Sequence, residues 1–289
     1  MTAGSVQDHR SREGGIIVYP VYSRRSGGLS VGINLFPDRK RCSFDCAYCE
    51  VFPFETDVSF NLETMKAALR SAILDAGERK IPVRDICFSG SGEPAMSSHF
   101  AEALEAAAVL RNKLAREAKL VMITNGTGLL EPPGGNAPAL FDFLRTSARA
   151  PATALHIWLK LDAGTEAWYA AMDRSPVPYE RLVSGIRNFA ASGAPFILQT
   201  MVCKINGRLP PPEEAAAWAA LVTELARTGG AEAGQSGGLQ AVQIYGKVRP
   251  APEDPLAEAV PAAVLEDRAA LLRAALAGAG RAVPVEVYE

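Results

Sequence analysis

No stretch of this 289-residue chain approaches the roughly 18 consecutive apolar residues that a membrane-spanning helix needs. Residues 1–15 are polar and charged and lack the apolar core of a secretory signal. The expectation is therefore a soluble, cytoplasmic chain without a membrane partner. An excess of one charge is also missing: 30 Lys and Arg meet 32 Asp and Glu, a formal charge of −2. That balance excludes the broad basic field of a general nucleic-acid binder, while a local patch stays compatible with it. Cysteine is scarce and odd in number, five in all, which excludes a disulfide framework. Histidine is scarcer still, with only His9, His99 and His156.

What is present is the composition of a protein that buries a sizeable core, 48% apolar and 21% charged. Six short apolar runs recur, at 31–36, 84–89, 120–124, 155–161, 196–203 and 239–245. Each is nearly continuous rather than alternating, the habit of strands covered on both faces in a parallel sheet. Helical spacing lies between them. Leu62, Met65, Leu69 and Ile73 share one face behind a capping Asn61. Phe100, Leu104, Ala107, Leu110 and Leu114 repeat the spacing behind Ser97 and Ser98, and Tyr179, Leu182, Ile186 and Phe189 do so before Gly193. Alanine-rich 213–227 and 261–277 are helical by propensity.

This alternation predicts one α/β domain over 1–289 with right-handed crossovers. Six units are too few for a complete eight-stranded barrel, so an open or partial barrel is expected. Residues 1–30 form an N-terminal extension that adds a strand near 16–21. The small-residue stretches 134–138 and 228–238 read as surface loops, the latter flexible.

Three of the five cysteines fall within eight residues, Cys42-Ser-Phe-Asp-Cys46-Ala-Tyr-Cys49, just past the first strand. Three thiolates from so short a loop can hold three corners of a cubic iron–sulfur cluster and leave the fourth iron without a protein ligand. A structural zinc site wants a fourth Cys or His, and none is close in sequence. A zinc knuckle completed from a distance, or an incidental cluster, is the plain alternative.

In this motif, with Tyr48 before its last cysteine, the chain resembles the radical S-adenosylmethionine (radical SAM) superfamily. The resemblance implies a partial (β/α)6 parallel barrel of the radical SAM type. It implies a [4Fe–4S] cluster on Cys42, Cys46 and Cys49, whose open iron chelates the amino and carboxylate groups of S-adenosyl-L-methionine. One electron, from a flavodoxin- or ferredoxin-type donor, then cleaves the sulfonium into methionine and a 5′-deoxyadenosyl radical that takes hydrogen from a substrate.

In such a fold the loops at the carboxyl ends of the strands carry the site. After the second run comes Ser89-Gly90-Ser91-Gly92-Glu93-Pro94, which resembles the superfamily's Gly-Gly-Glu motif and would hold the SAM ammonium group. Read plainly, it is a glycine-rich turn. Asn125, in Thr124-Asn125-Gly126, either contacts SAM or builds a turn. Lys160 and Asp162 close the fourth run and either meet SAM or substrate or form a solvated strand end. Gln199 sits inside an apolar run and needs a partner, either SAM or backbone. The apolar body of Ile244 or Tyr245 could face the adenine, and Lys247 and Arg249 either meet an anionic substrate group or are surface charges. Cys87 and Cys203 lie inside apolar strands and read as core residues.

The run 22–37, the cysteine motif, Gly-Ser-Gly-Glu-Pro and Arg249-Pro250 resemble one superfamily branch, that of wybutosine-type tRNA-modifying enzymes and uncharacterised iron–sulfur oxidoreductases. Those tRNA modifiers carry further cysteines before the main motif, and none occurs here before Cys42. A small-molecule or peptide substrate is therefore favoured over tRNA, although Arg24, Arg25, Arg39, Lys40 and Arg41 form a basic stretch beside the motif. An activating enzyme of a partner protein and a non-catalytic iron–sulfur or zinc protein are the remaining readings.

Overall fold

The computed structural model describes residues 14–130, 139–228, 237–253 and 256–289. The expected loop at 134–138 lies outside these residues, as does that at 228–238 apart from Thr228, Gly237 and Gly238. The chain forms two compact units, one from residues up to 42, 51–124 and 147–156, the other from 43–50, 125–146 and 157–289.

The first unit holds β1 (Val18–Ser23), β2 (Gly28–Ile33), α1 (Leu62–Glu78), β3 (Val83–Phe88), α2 (Phe100–Leu114) and β4 (Lys119–Thr124). β1 and β2 form an antiparallel hairpin with Val18 opposite Ile33, turning at Gly27, whose φ of +67° suits glycine. β3 adds parallel to β2, and β4 parallel to β3. The run expected at 31–36 is a strand only as far as Ile33. Asn34 turns its side chain onto the backbone nitrogen of Phe36, and Pro37 has no N–H to extend the ladder. α1 begins where Asn61 accepts from the Thr64 nitrogen at 2.9 Å. It buries Met65, Leu69, Ala72, Ile73 and Ala76, the face the spacing predicts. Leu69 is fully buried, and cutting it to Ala would cost about 2–5 kcal/mol.

Two further elements, α3 (Ala139–Arg149) and β5 (Leu155–Lys160), draw residues from both units. The second unit continues with α4 (Glu166–Met172), α5 (Tyr179–Ala191), β6 (Phe196–Val202), β7 (Lys204–Ile205), α6 (Pro212–Thr228), β8 (Leu239–Gly246), β9 (Ala257–Glu258), α7 (Ala262–Gly278) and β10 (Val285–Tyr288). Its strands run parallel in the order β5, β6, β8, β10, and the short β7 and β9 pair antiparallel as a separate two-stranded sheet. α5 ends as expected at Gly193, in the left-handed conformation. Trp218 of α6 is fully buried, its indole N–H donating to the Leu161 carbonyl at 3.1 Å.

The register of this unit aligns Lys160, Gln199, Gln243 and Glu286 side by side on β5, β6, β8 and β10. Alternation along a strand puts all four on one face, since neighbouring residues point to opposite sides. Two residues further on, Met201, Tyr245 and Tyr288 make the next row of that face.

Candidate active site

In the first unit the glycine-rich segment is fastened to the loop that follows β2. Arg41 donates to the Ser91 carbonyl at 3.0 Å and its own carbonyl accepts from the Glu93 nitrogen at 2.8 Å. A Cβ on Gly92 would lie 1.9 Å from that Arg41 carbonyl oxygen, so no side chain fits. Gly90, at φ +125°, packs against Asn34. Asn34 also accepts from the Ser91 nitrogen at 3.1 Å and donates to the Ile16 carbonyl at 3.0 Å. The close approach that the glycines permit is thus made by the chain itself. Glu93 is buried, and one of its oxygens accepts from the Thr124 hydroxyl at 2.7 Å and the Ala95 nitrogen at 3.0 Å. Cys42 is partly exposed one residue beyond Arg41.

In the second unit the rest of the cysteine motif lies against the end of α4. The Asp45 and Ala47 nitrogens donate to the Asp173 and Met172 carbonyls at 3.1 and 2.9 Å, and Cys49 closes a turn onto the Cys46 carbonyl at 2.9 Å. The Cys46 thiol faces Asp173 at 3.7 Å. Burial, then the charges of Asp173 and Asp162, push this thiol well above the usual range. The Asp173 carboxyl is pushed up for the same reasons, burial first and Asp162 second. Arg174 follows at φ +47°, where an L residue costs roughly 1 kcal/mol and glycine is usual.

Tyr48 points inward and donates to Asp162. Asp162 also accepts from the Met201 nitrogen at 2.7 Å and pairs with Lys160 at 3.0 Å. The Lys160 ammonium lies 5.0 Å from the Tyr48 ring centre and 4.7 Å from that of Tyr245, and donates to the Tyr245 hydroxyl. Burial disfavours its charge, but Asp162 and Tyr245 together outweigh burial and hold the amine above its ordinary range. Phe44, Tyr169 and Tyr179 enclose a recess against Lys160, Asp162 and Asp173, of about 220 Å³ including its open mouth. That is below the roughly 300–1,000 Å³ of small-molecule sites.

Asn125 builds a turn. Its carbonyl oxygen accepts from the Thr127 nitrogen at 3.0 Å, Gly126 adopts φ +83°, and its amide donates to Ser43 at 2.9 Å. Lys160 and Asp162 are buried partners rather than a solvated strand end. Gln199 bonds the side chain of Gln243 at 2.8 Å, a partner that reading a single strand does not suggest. Gln243 in turn donates to Glu286 at 3.2 Å. Lys247 is buried and donates to the Arg249 carbonyl at 2.8 Å, and Arg249 pairs with Glu50 at 2.8 Å, so neither is a plain surface charge. Cys87 is buried in β3, and burial pushes buried Cys203 up to about 12. Sequence reasoning missed Asn34, Ser43, Glu50, Asp173 and Arg174. Asn34 had a signal, being a polar residue inside an apolar run like Gln199.

The donor set fits the cluster implied by the motif: three thiols, none in a disulfide, all partly exposed, from one short segment. Among the described residues no three His, Cys, Asp or Glu side chains are placed to hold a single ion. None of the described helices is long and apolar enough to cross a membrane.

Together these elements, mostly parallel strands alternating with helices, define an α/β fold. The solved structures it resembles support this assignment. Streptococcus suis SuiB matches with a TM-score of 0.59 over 92% of this chain and 51% of its own, at 11% identity. SuiB bound to S-adenosylmethionine gives 0.60. TYW1 with a lysine-pyruvate adduct bound gives 0.52 over 85% of this chain and 73% of its own, at 13% identity. A UPF0026 protein of Helicobacter pylori strain 26695 is 28% identical over 139 residues, which span 47% of this chain and 42% of that relative. The chain thus aligns with less than half the length of this curated relative and about half that of SuiB. No protein-family profile matches the sequence.

Proposed function

We propose that this chain is a radical SAM enzyme acting as one domain, in which Cys42, Cys46 and Cys49 hold a [4Fe–4S] cluster that leaves one iron to S-adenosylmethionine. The observation that carries the reading is the Cys-x3-Cys-x2-Cys spacing after β2, in a fold shared with a protein solved bound to S-adenosylmethionine. When bound, the pair supplies reductive cleavage of the sulfonium and, from it, hydrogen-atom abstraction. The chain's own contribution is to hold and to exclude. Asn125 and Asp162 fix Ser43 and Tyr48 of the ligating loop. The segment Gly90, Ser91, Gly92 and Glu93, braced by Arg41 and Asn34, would hold the amino group of the cofactor. Lys160, Gln199 and Tyr245 would supply polar contacts to its adenosyl group. The substrate is a small molecule or a peptide, in keeping with SuiB, which is also solved with its precursor peptide SuiA. The tRNA reading loses support because Arg39 and Arg41 both pair with Asp38, at 3.3 and 2.6 Å.

The test is anaerobic reconstitution with iron and sulfide, then a strong reductant and S-adenosylmethionine. Slow release of 5′-deoxyadenosine is expected without substrate and should vanish in Cys46→Ala. Full turnover in that variant would overturn the assignment, and zinc without iron or sulfide in the purified chain would favour a structural metal site.

A further inference from the structure

We propose that Arg174 is a positioning residue which, with Glu253, forms an ionic latch that shapes the cysteine loop before any cluster is bound. The inference rests on the reading that this loop ligates a cluster. Arg174 follows the Asp173 cap of α4 and donates from Nε to the Asp45 carbonyl at 2.5 Å. Its guanidinium also pairs with the Asp45 carboxylate at 3.2 Å. The two remaining nitrogens grip Glu253 as a fork, at 2.6 and 2.5 Å. One planar side chain therefore joins the backbone of the ligating loop to the segment after β8.

The other end of the loop is tied to the same segment. Arg249 pairs with Glu50, and these side chains are only 17% and 16% exposed. Cys46 and Cys49 lie between the two ties. Three thiols must be brought to fixed corners, and a loop already in shape loses less conformational freedom on loading. The backbone at Arg174 makes the same point. A position at φ +47° favours glycine, and what an arginine adds is the reach of its side chain to Asp45 and Glu253. Lysine has the charge without the fork, and cannot span both partners.

Arg174→Gly separates positioning from folding, because glycine relieves the backbone while removing the latch. Amide hydrogen exchange of residues 43–50 is measured in the metal-free full chain, with the thermal midpoint recorded alongside. In Arg174→Gly the exchange of these residues should rise about tenfold or more while the midpoint is kept. Glu253→Gln should give a smaller rise in the same residues. After reconstitution, both variants should lose iron to a chelator faster than the native chain, in the same order. Unchanged exchange in Arg174→Gly overturns the latch, and so does a rise spread evenly over the whole chain. Faster loop exchange in a protein that never releases 5′-deoxyadenosine would leave the latch standing and remove the functional reading. Unchanged exchange in a protein that does release it would remove the latch alone.

Discussion

The two units hold their loops by opposite means. In the first, the segment 90–93 is held by backbone: Arg41 exchanges hydrogen bonds with Ser91 and Glu93, and Gly92 leaves no room for a Cβ. In the second, the loop 43–50 is held by charge: Tyr48 reaches Asp162, Asp162 neutralises Lys160, and Arg174 and Arg249 grip the loop near its two ends. A backbone device is insensitive to salt and pH but tolerates no added atom. A buried charge device tolerates changes of volume but fails when one partner is removed, since the other is left uncompensated.

The largest expected effect comes from Asp162→Ala, which strands the Lys160 ammonium between two aromatic rings. It should cost about 3–5 kcal/mol, read as a shift in the urea midpoint. A loss below about 1 kcal/mol would show that water replaces the carboxylate and that the second unit is not held by charge. Gly92→Ala should follow, at about 2–3 kcal/mol, because the nearest obstacle is a backbone oxygen that cannot swing aside. If this variant is as stable as the native chain, the first unit's loop moves freely and the contrast disappears. The smallest effect is a titration. Burial raises the Asp85 carboxyl in the first unit, although Ser30 donates to it. A carboxyl raised on folding binds its proton more tightly in the native state. Stability is therefore greatest below the unfolded value near pH 4 and is lost as pH rises through the folded one. Asp85→Asn should flatten that decline in urea midpoints from about pH 4 upward. An unchanged slope would place the titrating group elsewhere.

The sequence shows the strands clearly because parallel strands are covered on both sides and read as unbroken apolar runs. β10 escaped for the converse reason: Val285-Glu286-Val287-Tyr288 alternates, with Glu286 exposed, and joins the edge of the sheet. α4 has seven residues, too few for a period to emerge, although Thr165 caps it. The three clustered cysteines stand out in the sequence because their spacing is local, three residues within eight. Their supports do not. Asp162, Asp173 and Arg174 come from more than a hundred residues away, and only the crossovers bring them to the loop. Lys160 and Asp162 stand out in the sequence as charges closing an apolar run, but their partners do not. The two charges satisfy each other and Tyr48, and this could be seen only once β5 and the loop were placed in one unit.

The aligned row Lys160, Gln199, Gln243 and Glu286 has a consequence for how such a protein can diversify. Each rung belongs to a separate strand and therefore to a separate stretch of gene, and its neighbours along the strand face the other way. Exchanging one rung alters the character of the wall at a single place, from the shielded cation at one end to the open carboxylate at the other. New preferences can thus be acquired stepwise, with the framework beneath left intact.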